Sequence, residues 1–372
     1  MNLEYTEDQV LFRDGAERFL SAEYGAGARA RSTGAEDGVD PANRSAFAEL
    51  GLFALTVPER LGGLGFGPLE LAMVLECCGR HRVVEPIAET AIAARALATA
   101  FDAPAAQRWL PPILSGEIHA TVALLSNADI AEAGDADIVS GAVPLTRGAP
   151  GAGLVVLLAD TGEGERRAFA VTPGTEGVSV SAKRLLDESR GAMLTLERAR
   201  IPSENGSLAA DSVDQLLDEL TLASCWKALG AMRAASGQTA RYVQEREQFG
   251  RPLARFQAVE HMIAAQSVAC EEAEAAALLA ALSMDLGPSS RIRAVSAAKN
   301  KIGRASDVVA KNAVQAHGGM GVCDELPIAG YFRDLAAFRA MDGSARHLDR
   351  YERDVLGSGC FRESAILGTD AP

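Results

Sequence analysis

Apolar side chains recur at helical spacing over the first third of the chain, and the start of that pattern is marked. Thr6-Glu7-Asp8-Gln9 reads as a capping box, with Tyr5 and Val10 placed for a hydrophobic staple, so the first helix should begin here. Helical periodicity continues to about Ile118 with two interruptions. One is the Gly-, Ser-, Thr- and Asp-rich run from Arg31 to Asp40, which predicts a loop; the other is Pro58-Glu59 followed by Gly62, Gly63, Gly65 and Gly67. No strand pattern precedes those glycines and their spacing departs from G-x-G-x-x-G, so they predict a structural turn and not a dinucleotide fingerprint.

From His119 to Pro202 the period shortens. His119-Ala-Thr-Val-Ala-Leu-Leu, Leu154-Val-Val-Leu-Leu-Ala, Ala168-Phe-Ala-Val, Gly177-Val-Ser-Val and Met193-Leu-Thr-Leu are short apolar or alternating runs between turn residues, the mark of strands. Beyond Ser207 helical windows return, and Ala-rich stretches at 262–285 and 291–316 are divided by Gly287-Pro288, a strong stop signal. Helices, then strands, then helices is an α+β order, without the alternation that a parallel sheet requires. The pattern predicts a helical domain over 1–118, a β domain over 119–205 and a second helical domain over 206–372.

Composition narrows the partners. The 372 residues are 48% hydrophobic and 23% charged, enough for a large core and outside the disordered range. Lys and Arg number 36 against 50 Asp and Glu, a net charge of −14, which argues against nucleic acid or an anionic membrane held by bulk electrostatics. Residues 1–20 mix charged and apolar side chains without a signal or transit composition, and the longest apolar runs are too short to span a bilayer. The six cysteines, at 77, 78, 225, 270, 323 and 360, form no C-x-x-C pair and read as reduced thiols of a cytoplasmic protein. His317 has no partner histidines at ligand spacing, so it is expected to be structural and no metal is expected.

Two segments stand out chemically. Arg246-Glu-Gln-Phe-Gly-Arg-Pro-Leu-Ala-Arg-Phe-Gln257 is predicted to join a helix ending near Phe249-Gly250 to one starting at Pro252, gathering Arg246, Gln248, Phe249 and Gln257 in one corner. An Arg fork with amide donors suits a phosphate, although an interhelical turn with a surface Arg explains the segment alone. Val314-Gln-Ala-His-Gly-Gly-Met-Gly321 follows a long helix, where Gln315, Gly318 and Gly319 let backbone approach a ligand closely; a glycine C-cap accounts for one of the three glycines.

Together these segments resemble the flavin motifs of the acyl-CoA dehydrogenase superfamily, and Leu50 to Gly65 resembles that family's N-terminal helical signature. The resemblance implies a helical domain, a β-barrel-like middle domain and a C-terminal four-helix bundle. It implies FAD as cofactor, with Arg246, Gln248, Phe249, Gln257, Gln315, Gly318 and Gly319 holding the pyrophosphate and adenosine half of an FAD seated in a neighbouring subunit. Asp342, in Asp342-Gly-Ser344 after Arg333-Asp334, takes the family's catalytic-base position, where a Glu is usual; Asp-Gly is equally a favoured turn dipeptide. Glu219, beside the position where some members carry the base, is the alternative.

The flavin-ring segments depart from the family. Leu125-Ser-Asn-Ala-Asp-Ile130 and Ser140-Gly-Ala-Val-Pro-Leu-Thr-Arg147 replace its hydroxyl and aromatic contacts, leaving Thr146 as a remnant. That mixture is similar to the smaller subunits of two-component actinobacterial members. The resemblance therefore implies either α,β-dehydrogenation of an acyl-CoA thioester, with an electron-transfer flavoprotein or similar acceptor, or a non-catalytic subunit completing a partner's FAD site. An oxidase or monooxygenase on the same scaffold is a third reading. A homo-oligomer or a hetero-oligomer with a homologous chain is expected in each case.

Overall fold

A computed structural model of the chain describes residues 5–133, 135–160, 166–202, 206–207, 210–341 and 344–357. The chain divides into two compact units, Met1–Ala223 and Ser224–Pro372.

The first unit begins with helices α1 (Glu7–Glu23), α2 (Ala26–Gly34), α3 (Pro41–Glu49), α4 (Pro68–Arg80), α5 (Ile87–Ala100) and α6 (Ala103–Leu114). The capping box forms: the Gln9 amide donates to Thr6 Oγ1 at 3.3 Å and the Thr6 amide to Gln9 Oε1 at 2.9 Å. Arg31 to Gly34 extend α2, so the predicted loop shrinks to its second half; Asp40 then caps α3 by accepting from the Ala42 amide at 2.8 Å. The glycines of 62–67 are structural. A Cβ on Gly63 would lie 1.9 Å from the Val57 carbonyl oxygen, and the amides of Leu64 and Phe66 donate to the carbonyls of Ala54 and Leu55.

Buried Ala and Leu faces let α5 lie close against α6 and the first strand. Glu85, in the turn before α5, is buried with three donors around it: Tyr24 Oη at 2.6 Å, Asn43 Nδ2 at 2.8 Å and Ser32 Oγ. The carboxylate thus joins α1, α2 and α3 to the α4–α5 turn.

Next come β1 (Ala120–Ser126), β2 (Asp129–Ala133), β3 (Ala136–Arg147), β4 (Leu154–Asp160), β5 (Arg166–Val171), β6 (Val178–Arg184), β7 (Arg190–Pro202) and β8 (Gly206–Ser207). They form two four-stranded sheets, ordered β1-β4-β5-β8 and β2-β3-β7-β6. Leu125, Val155, Leu157 and Phe169 of one sheet share a core with Val139, Val143, Leu194 and Leu196 of the other. The β domain is thus two packed sheets: among the described residues no ladder closes them into the expected barrel. Two features escaped the sequence pattern: β1 and β4 pair in parallel, and β3 carries register shifts after Val139 and after Val143. The β6-β7 turn is tied to the N-terminal helices by Arg29 Nη1 to Glu188 at 2.8 Å.

Helix α7 (Ala210–Glu245) runs across the boundary between the units. The second unit continues with a small ribbon, β9 (Glu247–Gln248) and β10 (Arg251–Pro252), then α8 (Gln257–Leu282), α9 (Pro288–His317), α10 (Ile328–Ala340) and α11 (Ser344–Gly357). Gly287 caps α9 and Pro288 is its first residue, as the stop signal predicted. Helix α9 packs against α8, α10 and α11. Its buried Lys299 donates from Nζ to the Phe338 carbonyl at 2.7 Å and lies 3.5 Å from the Phe338 ring centroid, capping the last turn of α10. Among the described residues no helix is long and apolar enough to cross a membrane.

Candidate cofactor site

The first distinctive segment forms a two-residue hairpin and not the helix-to-helix corner predicted from its glycine and proline. Helix α7 stops at Glu245; β9 and β10 pair Gln248 with Arg251 and Glu247 with Pro252; and α8 starts only at Gln257. The turn residues Phe249 and Gly250 both have positive φ, 53° and 77°, as a type I′ turn requires. Gly250 tolerates this freely, whereas Phe249 pays about 1 kcal/mol for the left-handed region. Its ring is 92% exposed, so neither backbone comfort nor burial explains it.

Around that turn the polar groups are free to act outward. Arg246 is exposed and its guanidinium has no partner among the described residues; its carbonyl accepts from the Leu253 amide at 2.9 Å, closing the loop. Gln257 is exposed at the start of α8, and Gln248 donates only to the neighbouring Glu247 carbonyl, at 2.8 Å. Phe256 holds the hairpin from below, edge-on to Phe249 at 6.1 Å and under the Arg251 guanidinium at 4.1 Å.

The second segment caps α9. Gly318, at φ 60°, sends its amide back to the Gln315 carbonyl, and a 3-10 turn runs from Gly318 to Val322. A Cβ on Gly321 would sit 2.6 Å from the Val314 carbonyl oxygen, so the fold itself excludes a side chain there. Gly319 differs: its φ is ordinary, it is exposed, and a Cβ would meet nothing within 4 Å. The packing of this chain therefore does not require a glycine at 319. Gln315 is exposed beside it.

The last turn of α7, just ahead of the first segment, meets the second. The Tyr242 ring, one turn before Arg246, stacks on His317 with centroids 4.1 Å apart and planes inclined by 23°. His317 is buried, and its Nδ1 donates to the Ala313 carbonyl at 2.8 Å; burial moves its pKa below the ordinary value. It is the structural histidine expected from the sequence, and among the described residues no cluster of metal-ligating side chains forms. The stack, which the sequence did not announce, places an Arg, three amide side chains, an exposed aromatic ring and side-chain-free backbone on two adjoining turns. Such a surface fits a dinucleotide: the Arg fork and amides match a pyrophosphate, and Gly319 leaves room for close approach.

Asp342 falls outside the described residues, between α10 and α11. Glu219 is buried in the first unit with Oε1 2.8 Å from Arg95 Nη1, lining a small cavity with Thr56, Leu71 and Leu222; its charge is already committed to a guanidinium. Thr146 is buried and its hydroxyl meets no partner, while the adjacent Arg147 donates to Asp187 at 2.9 Å.

Residues 210–348 match the family model for the acyl-CoA dehydrogenase C-terminal domain, and residues 6–117 match that for the N-terminal domain. The mitochondrial short-chain specific acyl-CoA dehydrogenase of Mus musculus is 27% identical over 323 residues, covering 80% of this chain and 78% of that one. The caffeyl-CoA reductase-Etf complex subunit CarC of Acetobacterium woodii is 25% identical, covering 80% of this chain and 85% of that one. Among solved structures, the ChsE4-ChsE5 complex of Mycobacterium tuberculosis aligns with a TM-score of 0.89 at 26% identity, over 96% of this chain and 99% of that one. The two family models together match most of the chain, and the chain belongs to the acyl-CoA dehydrogenase family.

Proposed function

We propose that this chain works as an FAD-dependent acyl-CoA dehydrogenase, removing hydrogens from the α and β carbons of an acyl-CoA thioester. The observation that carries the proposal is the pair of adjoining turns, where Arg246 has no partner among the described residues and Gly319 has no packing reason to be glycine. Arg246, Gln248 and Gln257 would hold the pyrophosphate and adenosine half of FAD, with Gln315, Gly318 and Gly319 offering an amide and bare backbone and Phe249 an exposed ring face. When bound, FAD accepts the β-hydrogen as hydride at flavin N5.

The chain's own part is acid-base chemistry. The Asp342 carboxylate would take the α-proton, and its backbone amide would donate to the thioester carbonyl, where enolate charge develops. Asp is one methylene shorter than the family's usual Glu, about 1.5 Å of reach, so the substrate must sit correspondingly closer. Similarity to the CarC subunit of an Etf complex supports an electron-transfer flavoprotein as acceptor.

Thr146 and Arg147 favour a second reading. The Thr146 hydroxyl is buried and Arg147 is tied to Asp187, so the stretch that would face the flavin ring offers little to bind it. Under that reading the chain supplies the adenosine-side residues to a homologous partner, as its likeness to the ChsE4-ChsE5 complex supports, and Asp342 is idle.

The visible absorption spectrum of the purified chain, followed by anaerobic titration with acyl-CoAs, separates the two. Stoichiometric flavin that bleaches with a thioester, and fails to bleach in Asp342→Ala, supports the dehydrogenase. Flavin retained only with a co-expressed homologue, and bleaching unchanged by Asp342→Ala, supports the non-catalytic subunit.

A further inference from the structure

The turns that carry the proposed FAD-binding residues leave from the ends of two different helices. Arg246 follows the end of α7, and Gly318-Gly319 follow the end of α9. Each turn is held within itself, by the Phe249-Phe256 edge contact at 6.1 Å in one and by the Cys323 thiol to the Gly319 carbonyl at 3.3 Å in the other, while a Cβ built on Gly250, Gly318 or Gly319 would meet nothing within 4 Å. A ligand that touches both turns binds only as well as the two are held in register, because ordering them on binding costs affinity.

One contact supplies that register. The Tyr242 carbonyl accepts from the Arg246 amide at 2.8 Å, so Tyr242 fixes where the Arg246 backbone leaves α7. The Tyr242 ring lies on His317, immediately before Gly318. The His317 ring cannot swing, because it is buried and donates from Nδ1 to the Ala313 carbonyl one turn back. Burial also disfavours the imidazolium, so ring stacking and not charge joins the two helix ends.

We propose that Tyr242 and His317 are positioning residues for the cofactor: their stacked rings lock the Arg246 turn to the Gly318-Gly319 turn and thereby set the affinity for the pyrophosphate and adenosine part of FAD. This rests on the proposed FAD site, and the test keeps the two apart. Calorimetric titration with FAD, and separately with ADP, is run on the full chain and on Tyr242→Leu, His317→Leu, their double variant, Tyr242→Phe, His317→Phe and Arg246→Ala, with a thermal melt of each.

The inference expects each Leu variant to weaken binding at least ten-fold. The double variant loses no more than the worse single, because one removed ring already breaks the stack. The Phe variants, which keep two rings, stay within three-fold of the parent. A general loss of packing is distinguished by this rescue and by additivity in the double variant. If Arg246→Ala weakens binding while the Leu variants do not, or if the Phe variants fall as far as the Leu variants, the stack is not the register and the inference is overturned. Where the chain alone binds neither ligand, the same series is run on its complex with the co-expressed homologue; if that complex also binds neither FAD nor ADP, or if Arg246→Ala binds as the parent does, the site itself is wrong and the inference falls with it.

Discussion

Burial of His119 makes stability depend on pH in one direction. Its Nε2 donates to the Gly148 carbonyl at 2.9 Å, and burial lowers its pKa below the ordinary 6.5. Above that value the imidazole is neutral in both folded and unfolded chains and contributes no slope. Below it the unfolded chain takes up a proton that the folded chain resists, so stability falls as pH drops, by up to about 1.4 kcal/mol per pH unit for one group. Unfolding free energies from denaturant melts at pH 7.5, 6.0 and 5.0 should decline, and the decline should be shallower in His119→Gln, which keeps a donor without the titration. Parallel declines in the two proteins would show that other groups carry the slope. His317 shifts the same way for the same cause. Phe249 is the opposite kind of residue, exposed and conformationally strained, with Phe256 edge-on to its ring at 6.1 Å.

At the scale of elements, the first three helices are held by one buried carboxyl group, Glu85, which forms no ion pair among the described residues. Glu85 accepts from Tyr24, Ser32 and Asn43, one donor from the end of α1 and one each from α2 and α3. Glu85→Ala leaves Tyr24 and Ser32 without their buried acceptor, while Asn43 keeps the Ala28 carbonyl at 3.2 Å, and should cost about 3 kcal/mol, whereas Glu85→Gln keeps an acceptor and should cost less. Equilibrium denaturation of the two variants measures this, and equal small losses would mean that water takes the place of the carboxylate. None of this was legible in the sequence, because the four residues are separated by up to 61 positions and share no pattern. What was legible was local. The Thr6-Gln9 box and the Gly287-Pro288 boundary are each decided by a few adjacent residues. The β9-β10 hairpin was missed because two-residue strands have no periodicity to read, and Phe249 is not a residue that announces positive φ. The parallel β1-β4 pair and the shifted register of β3 are tertiary choices, made by the shared core of the two sheets.

At the scale of the whole molecule, the question is whether the adjoining turns exist for a ligand or for the fold, and two neighbouring glycines separate these. The residue types of the proposed cofactor site were readable in the sequence, since Arg, amides and glycines declare their chemistry; the lack of a side-chain partner for Arg246 among the described residues, and the Tyr242-His317 contact, were not. Asp342, assigned by resemblance, lies outside the described residues, and Thr146 is buried. Gly319 and Gly321 turn the question into a measurement. A methyl group on Gly321 collides with the Val314 carbonyl at 2.6 Å, so Gly321→Ala should destabilise the chain by roughly 1 to 3 kcal/mol and lose flavin as a consequence. A methyl group on Gly319 enters open space at an ordinary φ, so Gly319→Ala should leave unfolding within about 0.5 kcal/mol of the parent. If the bare backbone is there for FAD, Gly319→Ala nevertheless weakens FAD binding, with or without a homologous partner, because the methyl occupies the space that the cofactor needs. Unchanged melting with lost flavin is the expected signature. Unchanged melting with full flavin would mean that the cofactor never approaches Gly319, and the adenosine-side assignment would have to move away from the end of α9.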